Sequence, residues 1–155
     1  MDLLALAIFC APLVDPATTL RVIAVESAGH PYAIHDNTNG KTYEAGTSHG
    51  AANVARILIR AGHRIDVGLM QINYAVWLRP TGFSIERAFD PCTNIRLGST
   101  ILSANYARAL GRSATSNDAL IRALSEYNSG TDSSLNYAQQ VLMGRTSMQP
   151  RRGGF

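Results

Sequence analysis

Glu26 is the residue whose type and position best suit acid–base chemistry. It lies near the end of an apolar run that begins at Asp15-Pro16, a typical helix start, and stops before Gly29, a typical helix end. We expect a helix over residues 16–28. Burial and the negative end of the helix dipole both oppose the ionised form of a carboxyl group. Glu26 is therefore either a proton donor or an ordinary helix-end glutamate that reaches solvent or pairs with an arginine.

Two later segments carry side chains that could bind a sugar. The turn at residues 68–73 begins with a glycine and contains Gln71 and Asn73, whose amides suit sugar hydroxyl and acetamido groups. Three aromatic residues could supply faces on which sugar rings stack: Tyr74, Trp77 and Tyr127. Taken singly, each feature has a more common structural role, as a core side chain, a turn amide or part of an apolar helix stripe.

Composition and charge limit the possible classes of protein. The chain has 155 residues, 46% of them hydrophobic and 16% charged, which is enough for one buried core and indicates a single domain. The net charge of +3 comes from scattered basic residues, so no nucleic-acid partner is predicted. No apolar run reaches the roughly 18 residues of a membrane span. We interpret residues 3–11 as the first helix of the domain rather than as a signal peptide, and we expect a monomer.

Helical periodicity and capping residues predict a mainly α-helical domain of six or seven helices. After the glutamate helix we expect a helix capped by Thr47 or Ser48 and stopped by Gly62, followed by a short helix from Ser84 through Phe89. A long helix should then run from Asp90-Pro91 to Gly111. The last two helices are expected from Ser116 to Asn128–Gly130 and from about Ser133 to Met143. The helix that Gly62 stops is predicted to face the core with Val54, Ile57, Leu58 and Ala61.

One small hairpin near residues 32–43 is the only strand region we expect. Its signal is Asn39-Gly40, which favours a tight turn between short apolar runs. The domain is predicted to cover residues 1–144, and residues 145–155 are predicted to form a flexible C-terminal tail.

The two cysteines, Cys10 and Cys92, form no CxxC motif. From their positions alone, two buried free thiols and one long-range bridge are both possible. The four histidines show no HExxH spacing, so no metal site is predicted, and we expect all four in loops or at the surface: His30, His35, His49 and His63.

Taken in order, three motifs resemble those of the soluble lytic transglycosylase family: Glu26-Ser27, then residues 68–73, then Glu126-Tyr127-Asn128-Ser129-Gly130. The resemblance covers about residues 3–142 and implies a goose-lysozyme-like, mainly helical α+β fold. Residues 10–12, 61–68 and 89–95 look most like the subfamily that accompanies bacterial type IV secretion systems. This likeness favours a Cys10–Cys92 bridge and a periplasmic location.

The resemblance implies a peptidoglycan lytic transglycosylase without a metal or cofactor. Such an enzyme cleaves the β-1,4 bond between N-acetylmuramic acid and N-acetylglucosamine, leaves a 1,6-anhydro product, and opens the wall locally for a type IV secretion or conjugation apparatus. Glu26 would be its single acid and base. The positions that would bind the glycan strand are Ser27, Met70, Gln71, Asn73, Tyr127 and Asn128.

Two alternatives remain. A lysozyme-type hydrolase would need a second carboxylate, and the candidates are Asp66 and Glu126. Glu126 stands where many family members have alanine, and we expect it to point to solvent, whereas an aspartate at position 66 more often pairs with a neighbour such as Arg64 or caps the turn. The other alternative is a non-catalytic glycan-binding or assembly module in which Glu26 is only structural.

Overall fold

Helices and one small antiparallel sheet make up residues 1–144, the part of the chain that the computed structural model describes. The helices are α1 (Leu3–Cys10), α2 (Pro16–Ser27), α3 (Ser48–Arg60), α4 (Ile85–Ala88), α5 (Pro91–Leu110), α6 (Ser116–Ser129) and α7 (Leu135–Met143), with a π-helix (Tyr74–Leu78) and a 3-10 helix (Arg79–Thr81). The strands are β1 (Ala33–Asp36), β2 (Lys41–Glu44), β3 (Ile65–Val67) and β4 (Ile72–Asn73). The mainly helical class is confirmed, and the predicted tail at 145–155 lies outside the described residues.

Local capping determines where the two most important helices begin. The Asp15 side chain accepts a backbone N–H of the first turn of α2 at 3.0 Å, and Pro16 occupies the first helical position. Asp90 and Pro91 repeat this arrangement at the start of α5. Ala28 then takes the left-handed conformation, with φ of 51°, and ends α2 two residues after the predicted acid.

The sheet has the strand order β2-β1-β3-β4, and every neighbouring pair is antiparallel. Direct cross-strand partners form two rows, one polar (Thr42, His35, Asp66, Asn73) and one apolar (Tyr43, Ile34, Val67, Ile72). Because successive side chains point to opposite faces, the two rows lie on opposite sides of the sheet. The apolar row belongs to the hydrophobic core, which also takes residues from α2, α3, α5, α6 and α7.

The prediction of a single hairpin was incomplete. The hairpin itself is present as β1 and β2, joined through Asn39-Gly40, but β3 and β4 add two further strands. They have three and two residues, too few for an alternating pattern to show in the sequence. Strand β3 pairs with β1 across about thirty positions, so its partner is also invisible locally.

Helix α3 faces the core through small side chains, which differs from the predicted stripe. Ala51, Ala52, Ala55 and Leu58 are buried. Ile57 is 66% exposed, and Ala61 is exposed as well. Three alanines let α3 approach its neighbours closely, and this close packing outweighs the hydropathy that marked Ile57 as inward.

A disulfide joins Cys10 at the end of α1 to Cys92 in the first turn of α5. The bridge favoured by the family resemblance is thus confirmed, and neither cysteine is a free thiol. It links positions 82 residues apart and encloses α2, the sheet and α3 within one covalent loop.

Candidate active site

Glu26 lies in the last turn of α2, partly buried, and a tyrosine from α7 holds its carboxyl group. The Tyr137 hydroxyl donates a hydrogen bond to Glu26 Oε1 at 2.6 Å. Tyr137 is itself buried. Sequence reasoning missed this residue because it lies 111 positions away. The available signal was weak: a buried tyrosine needs a partner for its hydroxyl, and Tyr137 sits in the buried stripe of α7.

The turn at residues 68–71 is tied to the helices on either side through its main-chain carbonyls. The Ser27 hydroxyl, next to the acid, donates to the Leu69 carbonyl at 2.8 Å. The Tyr127 hydroxyl of α6 donates to the Met70 carbonyl at 2.7 Å. The three predicted motifs therefore meet at this turn.

Asn94 of α5 also holds this turn, and sequence reasoning did not identify it. Its buried side-chain nitrogen donates to the Val67 and Ala88 carbonyls, each at 2.9 Å, and its oxygen accepts the Met70 N–H at 2.8 Å. Gly68, with φ of 79°, must be glycine here, because a Cβ would lie 2.2 Å from the Asn94 side-chain nitrogen.

Gln71 adopts the left-handed conformation, with φ of 47°, which is uncommon for a residue other than glycine. Its side-chain nitrogen donates to the Gly68 carbonyl at 2.8 Å and to the Ala33 carbonyl at 3.2 Å. These bonds hold the turn against β1 and compensate for the backbone conformation. They also fix the orientation of the amide.

The remaining predicted glycan-binding residues differ in how they are used. Met70 is fully buried, with its side chain against Gly98 of α5. Asn73 donates to Asp66 at 2.8 Å and accepts the Val76 N–H at 3.1 Å. Asn128 is partly exposed, and its side-chain oxygen accepts a hydrogen bond from the Ser134 hydroxyl at 2.9 Å.

Asp66, one candidate for a second carboxylate, lies in the polar row of the sheet and is 2% exposed. One of its oxygens accepts from the Asn37 amide at 3.0 Å and the other from the Asn73 amide at 2.8 Å. Both oxygens are thus held by neighbouring side chains, which is the arrangement of a structural carboxylate.

Glu126, the other candidate, does not point to solvent as predicted. Its side chain is 11% exposed and pairs with Arg108, at 3.4 Å, and with Arg112. Glu126 faces the C-terminal end of α5, where Arg108 lies in the last turn of the helix and Arg112 lies in the turn that follows it. Glu126 therefore forms ion pairs that join α6 to the last turn of α5 and to the turn after it.

A histidine–aspartate pair stands at the end of β1, and only its aspartate is buried. Asp36 is fully buried, and His63 Nδ1 lies 2.6 Å from its Oδ2. Burial raises the pKa of the Asp36 carboxyl, but hydrogen bonds from His63 and from the Thr38 N–H outweigh burial, so that this pKa lies below its usual value. The prediction that all four histidines lie in loops or at the surface was wrong for His35, which is buried on β1 with Nδ1 3.1 Å from the Thr42 hydroxyl.

Residues 1–144 contain neither a metal-ligand cluster nor a membrane-spanning helix. Among them, no three or more histidine, cysteine, aspartate or glutamate side chains are grouped as metal ligands would be. No helix in this part of the chain has the length and apolar character needed to cross a bilayer.

Comparison with known proteins gives consistent matches. The family model described as transglycosylase SLT domain matches residues 6–146. Protein virB1 of Agrobacterium fabrum is 38% identical over 122 residues, which cover 78% of this chain and 49% of that protein. Type IV secretion system protein virB1 of Brucella abortus is 36% identical over 107 residues, covering 69% of this chain and 44% of that protein. The chain thus spans about half the length of the curated relatives it matches. No solved structure matches it significantly.

Proposed function

The chain belongs to the transglycosylase SLT domain family, and on that basis we propose that it is a lytic transglycosylase of bacterial peptidoglycan. It cleaves the β-1,4 bond between N-acetylmuramic acid and N-acetylglucosamine and leaves a 1,6-anhydro end. The observation that carries this proposal is the placement of Glu26, a single carboxyl group held by Tyr137 beside the turn where the family motifs meet.

Glu26 acts first as an acid. Cleavage requires a proton on the leaving oxygen of the glycosidic bond. Because Glu26 Oε1 accepts the Tyr137 hydroxyl, the transferable proton belongs on Oε2. The tyrosine thus holds the carboxyl group in one orientation, which is the positioning that general acid catalysis requires.

Glu26 then acts as a base. The bond between C1 and the leaving oxygen breaks, the N-acetyl group of the muramic acid assists at C1, and the C6 hydroxyl of the same sugar attacks C1. The proton of that hydroxyl passes to the Glu26 carboxylate, which restores the acid and closes the 1,6-anhydro ring. No water is consumed, so no second carboxylate is needed.

The surroundings of the other carboxylates support this single-acid reaction over hydrolysis. An inverting or retaining hydrolase needs a second carboxylate with an oxygen directed at water or at C1. Both Asp66 oxygens accept asparagine amides, and Glu126 is neutralised by Arg108 and Arg112. Neither arrangement suits a nucleophile or a general base.

The glycan strand is bound next to the acid by the motif residues. Gln71 uses its side-chain nitrogen within the protein, so its amide oxygen is the group that accepts from the sugar. Asn128 uses its oxygen, so its amide nitrogen donates. Ser27 and Tyr127 support these contacts by holding the turn, Met70 supports them by packing against α5, and Asn73 holds the segment that follows the turn.

The protein acts in the periplasm and opens the wall locally for a type IV secretion or conjugation apparatus. The name of the Brucella relative, a type IV secretion system protein, supports this context. The Cys10–Cys92 disulfide supports an oxidising compartment.

Digestion of purified sacculi, with mass spectrometry of the products, tests the reaction. We expect anhydro ends, which are one water lighter than reducing ends, and their absence among the products would overturn the proposal. Glu26→Gln should abolish cleavage while circular dichroism shows an unchanged fold. Cleavage that survives this change would remove Glu26 from its role, and intact sacculi with the wild-type protein would indicate a non-catalytic glycan-binding module.

A further inference from the structure

Trp77, the single tryptophan of the chain, is 43% exposed on the π-helix that follows the site turn. Val76 beside it is exposed to a similar extent, whereas Leu78 is buried and anchors the segment. Nothing within residues 1–144 accepts a hydrogen bond from the indole N–H. A large aromatic face and a donor thus stand together at the surface, and a π-helix is an uncommon element that is frequently found at functional sites.

The π-helix is held rigidly to the sheet. The Asn73 side-chain oxygen accepts the Val76 N–H at 3.1 Å, and its nitrogen donates to Asp66 at 2.8 Å. Asp66 is fixed in turn by Asn37. Because the segment is already ordered, a ligand that contacts Trp77 loses little affinity to the cost of ordering it.

Trp77 also lies close to the site along the chain. It follows Gln71 by two strand residues and four helical residues, which span at most about 13 Å at roughly 3.3 Å and 1.5 Å per residue. The substrate is a polymer, so its next sugars extend beyond the bond that Glu26 cleaves. The patch of Val76 and Trp77 suits one sugar ring and is far smaller than the 20–30 residues per partner of a typical protein interface.

We propose that Trp77 is a stacking platform for a sugar ring of the glycan strand, in a binding subsite next to the cleavage site. The inference rests on the proposed function, because it takes the glycan strand as the ligand. The apolar C–H face of the sugar covers the indole, and the indole N–H donates to a hydroxyl or acetamido oxygen. A ring that removes about 60 Å² of indole surface from water contributes roughly tenfold in affinity.

Intrinsic fluorescence tests the platform without any turnover, because every tryptophan signal comes from Trp77. The Glu26→Gln protein is titrated with peptide-free glycan strands prepared from sacculi. We expect a saturable change in emission and protection of the indole from acrylamide quenching. If the strands bind in equilibrium dialysis while emission and quenching stay unchanged, the platform is wrong and the proposed function stands. If no strand binds, both fail.

Kinetics with the active protein provide the second test. Trp77→Ala should raise KM for glycan strands about tenfold with kcat within about twofold, and Trp77→Phe should recover most of the affinity. Phe9→Ala is the matched control, because Phe9 is an aromatic residue 78% exposed on α1, and it should leave both constants unchanged. An unchanged KM in Trp77→Ala would overturn the proposal, as would equal losses in the alanine and phenylalanine variants.

Discussion

Tyr137→Phe is the most direct test of how the acid is held. The substitution removes one hydroxyl and keeps the buried ring, so it deletes the 2.6 Å hydrogen bond to Glu26 Oε1 while core packing is retained. A hydrogen bond to a charged or ionisable partner contributes about 1.5–3 kcal/mol. If that energy keeps the carboxyl in its reactive orientation, kcat falls roughly 10- to 150-fold.

The assay is the initial rate of release of soluble anhydro fragments from sacculi, over a range of sacculus concentrations. The loss should appear in kcat, with KM nearly unchanged, because the hydroxyl acts on the reaction through the acid that it holds. Tyr106→Phe on α5 is the control: within residues 1–144 the Tyr106 hydroxyl has no hydrogen-bond partner, and this variant should keep the wild-type rate. The reasoning is refuted if Tyr137→Phe retains kcat within about twofold, or if Tyr106→Phe loses as much.

Three further predictions concern stability. Replacing Cys10 and Cys92 with serine opens the 82-residue loop and should lower the free energy of unfolding by about 4–5 kcal/mol in the chain-entropy model. Circular dichroism should show this loss as a fall in Tm, and an unchanged Tm would contradict it. Gly98→Ala should cost about 1–3 kcal/mol in urea unfolding, because the new Cβ would lie 2.6 Å from Met70 Sδ and 2.8 Å from its Cβ; a neutral result would mean that the methionine repacks freely. The lowered pKa of Asp36 means that its contribution to stability is complete above the usual aspartate pKa, about 4, and is lost as pH falls through the lowered value. Asp36→Asn should therefore reduce the fall in the free energy of unfolding at acid pH. If that fall is as steep in the variant as in the wild type, the Asp36 carboxyl is not its source.

The sequence predicted those features that depend only on residues close together in the chain. The starts of α2 and α5 follow from Asp–Pro pairs whose effect is local, and both helices begin where predicted. Glu26 was identified because it stands at a helix end whose stop signals follow within five positions. These features need no knowledge of the rest of the chain.

What could not be predicted depends on residues that are distant in sequence. Tyr137 reaches Glu26 across 111 positions, and Asn94 reaches Met70 across 24. The direction of Glu126 depends on Arg108, in the last turn of α5, and on Arg112, in the turn that follows that helix. In each case the side chain's role is set by what packs against it, and periodicity along one helix carries no information about that partner.

The way the turn at residues 68–71 is held bears on which substitutions the site tolerates. Ser27 and Tyr127 donate to the main-chain carbonyls of Leu69 and Met70. These two bonds depend on where the backbone lies and do not involve the side chains at positions 69 and 70. Apolar residues of similar volume and shape at positions 69 and 70 should therefore keep both bonds. Gly68 has no such latitude, because every other residue would add the Cβ that Asn94 excludes. For protein engineering, the glycine is the invariant of this site, and its two apolar neighbours are the adjustable positions.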